Sequence, residues 1–134
     1  MFVNFKDIRF DEDLQLEAYH FNGVAQAFPN HFHEYFVIGL IEAGARRLTV
    51  NNQDYQIGPG DLLTFNPMDN HACKQTDGGS LRYRCLNINQ EVLQSVANEV
   101  CVCNELPRFR EPVLYRTALA SIFCALHDSI MEKG

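Results

Sequence analysis

Three histidines and one cysteine have the types and spacing that site chemistry needs. His31 and His33 lie in PNHFHEYFVIGLIEAG, and His71 and Cys73 lie in GPGDLLTFNPMDNHAC. Residues two apart in an extended strand project to the same face. His31 and His33 therefore point together, and Cys73 shares the face of His71. The segments between them carry turn signals and short apolar runs, as in a chain that doubles back in antiparallel strands. Three imidazoles inside a barrel make hydrogen-bonded polar lining, an organic-ligand pocket or a transition-metal site. Imidazole suits zinc, nickel, copper and iron alike. With Cys73 the set His31, His33, His71 could close a tetrahedral site, which leaves no open position for catalysis.

Other side chains extend this list. Tyr35 continues the face of His31 and His33, as pocket wall or as plain core. Arg46 and Arg47 follow the Gly44 turn. One of them should face inward, where Arg46 would pair an acidic effector; the alternative is a solvated hairpin. Cys101 and Cys103 have a metal-like spacing without a second pair, so buried or surface thiols are the plainer reading.

The elements that must position these residues divide near Asn89. Before it, the strand signals are Leu16 to Phe21, Tyr35 to Glu42, Arg46 to Val50, Asp54 to Ile57, Leu62 to Phe65, His71 to Gln75 and Leu81 to Ile88. Turn chemistry separates them: Asn22-Gly23, Ala43-Gly44-Ala45, Asn51-Asn52, Gly58-Pro59-Gly60-Asp61 and Asn66 to Asn70. Short strands at this spacing predict a sandwich or barrel. After it, Asn89 is a good N-cap with Glu91 in the first turn. Pro107 then breaks the chain. Glu111-Pro112 predicts a second helix with proline at N1, whose apolar stripe is Leu119, Ile122, Phe123, Leu126 and Ile130, extended by Tyr115.

Composition bounds the function. A chain of 134 residues with 46% hydrophobic and 21% charged residues fits one globular domain. A formal net charge of −6 leaves no broad footprint for phosphates, which argues against DNA, RNA or an anionic membrane as a direct partner. The start lacks a basic segment followed by an apolar one, so no secretory leader is expected. The apolar run Tyr35 to Ile41 is far short of the roughly 20 residues a membrane span needs. The five cysteines show no secreted-scaffold pattern. Reduced thiols in a cytoplasmic protein are expected. Residues from His127 onward read as helix almost to Gly134, which suggests a further domain beyond.

Across HFHEYFVIGLIEAG and IGPGDLLTFNPMDNHAC, residues 14–88 resemble the cupin-type N-terminal domain of AraC-family transcriptional regulators. The His-x-His segment, the Gly44 hairpin, the Pro59-Gly60-Asp61 turn, and Pro67 with His71 in register carry this likeness. The trailing LPRFREPVLY also looks like the segment after the barrel in those regulators. The resemblance implies a mainly β fold: a cupin-like jelly-roll barrel over 1–88, followed by C-terminal α-helices over 89–134. It implies a sensor rather than an enzyme, with a small-molecule effector in the barrel. It also implies a homodimer through residues 112–130, and DNA reached only through a helix-turn-helix domain that this chain lacks. Residues 1–13 would be an arm over the barrel mouth. His31, His33, Tyr35, His71 and Arg46 would bind the effector, and His31, His33, His71 and Cys73 would hold any metal, zinc or nickel. The chain departs from metal-dependent cupin enzymes where it counts. Val37 and Ile38 stand where those enzymes usually carry a glutamate, and Glu34 should point to the opposite face. Asn66 and Met68 stand where proline and glycine are usual. A stand-alone metal-dependent cupin enzyme, a dioxygenase or isomerase, is the alternative.

Overall fold

Turn residues cut the chain into short strands, and the strands stack as two antiparallel sheets. A computed structural model describes residues 5–23, 28–31, 34–75, 80–100, 105 and 107–133. Its strands are β1 (Phe5–Asp11), β2 (Leu16–Gly23), β3 (Phe28–His31), β4 (Phe36–Ala43), β5 (Arg46–Val50), β6 (Gln53–Ile57), β7 (Leu62–Phe65), β8 (His71–Gln75), β9 (Leu81–Ile88) and β10 (Val113–Leu114). Two helices complete it, α1 (Gln90–Val100) and α2 (Leu119–Lys133). One sheet has the order β1-β2-β9-β4-β7-β10 and the other β3-β8-β5-β6.

The turns hold the register. Gly44 adopts φ 97°, and a Cβ there would come within 2.4 Å of the Ser80 carbonyl oxygen. Asn51 and Asn52 adopt φ 47° and 70°, the left-handed pair of a two-residue hairpin turn between β5 and β6. Asp61 closes the turn before β7 by accepting the Gly58 N–H at 2.7 Å, and its other oxygen accepts the Arg116 N–H at 3.2 Å.

Strand alternation gives the larger sheet two buried faces. Phe21, Val37, Ile41, Leu63, Phe65 and Cys85 face the smaller sheet, where Leu48, Val50 and Ile57 meet them. Leu16, Ala18, Phe36, Leu40, Leu86 and Ile88 form the opposite face, and Phe123 and Ile130 of α2 pack there. Burying one such side chain contributes about 1.5–3 kcal/mol before entropy is counted. Both faces are therefore needed for stability.

The expected helix from Pro112 is a correction. Val113 and Leu114 pair with Leu63 and Leu62 as β10. The Thr64 N–H donates to the Pro112 carbonyl at 2.9 Å, the Thr64 hydroxyl donates to the Glu111 carbonyl, and Asn66 bonds both backbone groups of Phe109 at 2.7 and 3.0 Å. These bonds to β7 outweigh the helix preference of Glu111-Pro112. The helix starts instead at Leu119, capped by Thr117, whose hydroxyl accepts the Leu119 N–H at 3.2 Å. The single stripe also splits. Phe123 and Ile130 are buried, whereas Leu119, Ile122 and Leu126 are exposed, and Tyr115 lies in the preceding turn, exposed. Asn89 caps α1 as expected, accepting the Val92 N–H at 2.8 Å.

Residues 5–11, within the segment expected as an arm, pair with β2 along their whole length. β3 ends at His31 and the chain bends at Glu34 and Tyr35, so His31 and Tyr35 do not share one strand.

Candidate functional site

The inward side of the larger sheet carries a polar cluster built around Cys85. On β9, Tyr83, Cys85 and Asn87 face the barrel interior. On β2, the inward residues are Glu17, Tyr19 and Phe21, paired in register with Asn87, Cys85 and Tyr83. The Asn87 amide nitrogen donates to Glu17 Oε1 at 2.7 Å, and the Cys85 thiol donates to Asn87 Oδ1 at 3.3 Å. The Tyr19 and Tyr83 rings meet edge to face, centroids 6.3 Å apart. Gly39 lies beneath Tyr83: a Cβ there would fall 1.9 Å from the Tyr83 hydroxyl oxygen.

Burial sets the protonation of this cluster. It pushes the Cys85 thiol up to about 12, with Tyr83 hydrogen bonding opposing and Glu17 reinforcing the shift. Cys85 is thus a protonated, inert thiol at neutral pH rather than a redox sensor. Burial likewise raises Tyr19 and Tyr35, and the Glu17 carboxylate and Cys85 push Tyr35 further up. Both phenols stay neutral donors.

The residues singled out in the sequence fall around this cluster to different extents. His71 is buried on the smaller sheet and stacks flat on Phe65, with centroids 4.2 Å apart and planes at 8°. Backbone register sets His31 opposite His71 across β3 and β8. The side chains of His31 and Cys73, and all of His33, Cys101 and Cys103, lie outside the described residues. So does the proposed metal set, apart from His71; among the described residues no group of three His, Cys, Asp or Glu side chains could hold a metal ion. Tyr35 packs against the interior core although it sits at a bend. Arg46 faces inward, 1% exposed, with its Nη1 donating to the Ala45 carbonyl at 2.6 Å, while Arg47 faces solvent.

The same strands grip α2 from behind. Residues next in chain to the inward tyrosines face outward. Arg84 Nε contacts Glu42 at 2.9 Å, its Nη1 bonds Asp128 of α2, and His20 Nε2 lies 3.2 Å from Glu42. His127 is fully buried in α2, and its Nε2–H donates to the Tyr19 carbonyl at 2.9 Å. Glu17, Tyr19, Tyr83, Asn87 and His127 were not picked out by motif. For the four strand residues the available signal was period-two alternation along β2 and β9.

A two-sheet jelly roll with a polar interior and helices on its back defines a cupin-like barrel. Solved structures share that fold. The cupin domain of Schizosaccharomyces pombe Cnp3 superposes with TM-score 0.58 at 13% identity, covering 72% of this chain and 69% of that one. A putative mannose-6-phosphate isomerase from Ralstonia eutropha superposes with TM-score 0.57 at 15% identity, covering 65% of this chain and 85% of that one. At such identities the likeness concerns the fold.

Family follows from sequence. Residues 13–134 match the AraC-like ligand binding domain. The chain is also 44% identical over 128 residues to an uncharacterized HTH-type transcriptional regulator, YbfI, of Bacillus subtilis, covering 96% of this chain and 46% of that protein. The chain belongs to the AraC-like ligand-binding domain family. It spans about half the length of the curated relative it matches. Among the described residues, no helix is long and apolar enough to cross a membrane.

Proposed function

We propose that this domain binds a small organic effector inside the barrel and, within a longer bacterial transcription factor, sets how that protein engages DNA. The observation supporting this is the Cys85 cluster, inside a barrel of a ligand-binding family and one residue along β2 and β9 from the groups that hold α2. His31, His33, Tyr35, His71 and Arg46 would complete the lining. Effector binding would act as a population shift, favouring one seating of α2 and so one geometry of DNA-binding parts elsewhere in the protein. DNA contact would belong to a helix-turn-helix outside this acidic chain. The domain would be non-enzymatic and cytoplasmic.

A thermal-shift screen of metabolites against wild type and Gly39→Ala tests the sensing role. A ligand that binds only the folded state raises apparent stability. Because the new Cβ must displace Tyr83, hits in the barrel should be lost in the variant. Hits that persist unchanged would place the ligand elsewhere and count against this reading.

The domain would dimerise through α2, whose exposed Leu119, Ile122 and Leu126 form an apolar face. Ile122→Asp should give a folded monomer in sedimentation, because Ile122 is 67% exposed and outside the core. A wild type that stays monomeric at high concentration would overturn the dimer. A second reading, a zinc or nickel ion on His31, His33, His71 and Cys73, draws support from the His31–His71 register. Elemental analysis of protein purified without chelator or nickel resin decides it.

A further inference from the structure

The interior cluster has a charge sign. Glu17 brings a half-buried carboxylate to the inward face of β2, fixed by Asn87 at 2.7 Å. The three phenols near it, Tyr19, Tyr35 and Tyr83, are all partly buried against the interior core. Arg46, the inward-facing cation, has its backbone at the other end of the strands from Glu17, level with Tyr83. Phe65, which stacks on His71, is in register with Val37, and Val37 with Asn87, and Asn87 with Glu17. His71 pairs with Val50, four residues along β5 from Arg46. At ~3.3 Å per residue that separation is about 13 Å.

We propose that the cluster around Cys85 is an organic-cation site, taking ligands with a protonated or quaternary amine on a small organic body. The Glu17 carboxylate is the counter-ion, and Tyr19, Tyr35 and Tyr83 present ring faces and hydroxyls to the ammonium group. Aromatic rings attract a cation through their quadrupole, most strongly where water is excluded. A hydrogen bond from an ammonium group to a carboxylate is about twice as strong as one between neutral partners. A neutral polyol gains only the weaker kind, and a carboxylate ligand meets Glu17 as a like charge in a low-dielectric interior. The rim suits an apolar ligand body. Phe10 pairs with Glu17 and Ile8 with Tyr19, on the same sheet face, and both are exposed. The chain's formal net charge of −6 also raises the local concentration of cations.

This inference rests on the sensing role proposed above, and its test separates the two. Isothermal titration and thermal shift use phenethylamine and choline as cations, glucose as a polyol and benzoate as an anion, against wild type and Glu17→Gln. The expected result is binding of an amine that weakens about tenfold or more in Glu17→Gln. The amide introduced by Glu17→Gln retains an acceptor for Asn87; if the variant fails to fold, the wild-type ranking of the probes decides. Binding of glucose or benzoate without either amine overturns the cation assignment and leaves the sensing role standing. Amine affinity unchanged in Glu17→Gln overturns it as well. Absence of binding by every probe overturns the assignment and removes its support for the sensing role.

Discussion

His127 makes the seating of α2 sensitive to acid, and the sign and size follow from its surroundings. The ring is fully buried, stacks on Phe123 with centroids 5.7 Å apart, and donates from Nε2 to the Tyr19 carbonyl. Its Nδ1 has no hydrogen-bond partner among the described residues. Burial, first, holds the imidazole below its ordinary value of 6.5; the Tyr19 carbonyl and Asp128 oppose this, while Arg84 and His20 add to it. Below 6.5 the unfolded chain therefore takes up a proton that the folded ring resists. Stability from this group is fully present above the ordinary value and falls as pH drops towards the folded one. Between about pH 7.5 and 5.5 the loss has an upper bound of about 1.4 kcal/mol, reached if the folded ring refuses the proton throughout. His127→Gln keeps a donor for the Tyr19 carbonyl and removes the titration. Urea unfolding followed by circular dichroism, at several pH values across that window, should give a steeper decline for wild type than for His127→Gln. The difference between the two slopes isolates His127 from other groups, including the His20–Glu42 pair. Parallel slopes, or an NMR titration of the folded ring at its ordinary value, would refute the reasoning. His127→Ala should cost about 3 kcal/mol at neutral pH, from the cavity and the lost hydrogen bond.

Two further predictions concern the segment before α2 and the turn beneath it. Asn66→Ala removes both bonds to the Phe109 backbone and should cost about 1–3 kcal/mol. Trypsin should then cut faster at Arg108 and Arg110, and a cleavage rate equal to wild type would show that Asn66 does not hold the segment. Met68 sits at φ 69°, where a side chain is strained and glycine is not. Met68→Gly should raise stability by up to about 1 kcal/mol in the same urea assay, and a loss of stability would contradict the strain argument.

Much of the barrel was legible because period-two alternation and turn residues act locally. Arg46 to Val50, Leu62 to Phe65, His71 to Gln75 and Leu81 to Ile88 have the observed strand bounds. β10 was not legible, because Val113 and Leu114 are made a strand by partners on β7 that are distant in sequence. The stripe on α2 was seen, but spacing does not reveal that Phe123 meets the sheet while Ile122 meets solvent. The site was legible in part. The histidines drew attention because their spacing is unusual. Glu17, Tyr19, Tyr83 and Asn87 alternate with residues that are just as buried on the other side, so pattern alone does not say which face looks into the barrel. Cys85 carried no signal of its own, and its role as the hub comes from Gly39, Asn87 and the tyrosines meeting there.

The two-sided sheet has a consequence for how such sensors diversify. Along β2 and β9, consecutive residues serve different masters: Tyr19 and Tyr83 inward, His20 and Arg84 outward towards Glu42 and the helix. On the proposed sensing role, a substitution at an inward position would rewrite what the barrel recognises while the helix seat keeps its sequence. A one-residue insertion does the reverse, exchanging every inward side chain for an outward one and destroying both at once. Drift by point substitution on alternate positions is therefore an open route to new effector specificity, and change in strand length is a closed one. A lineage built on this barrel can exchange its chemical vocabulary while its output grammar stays fixed.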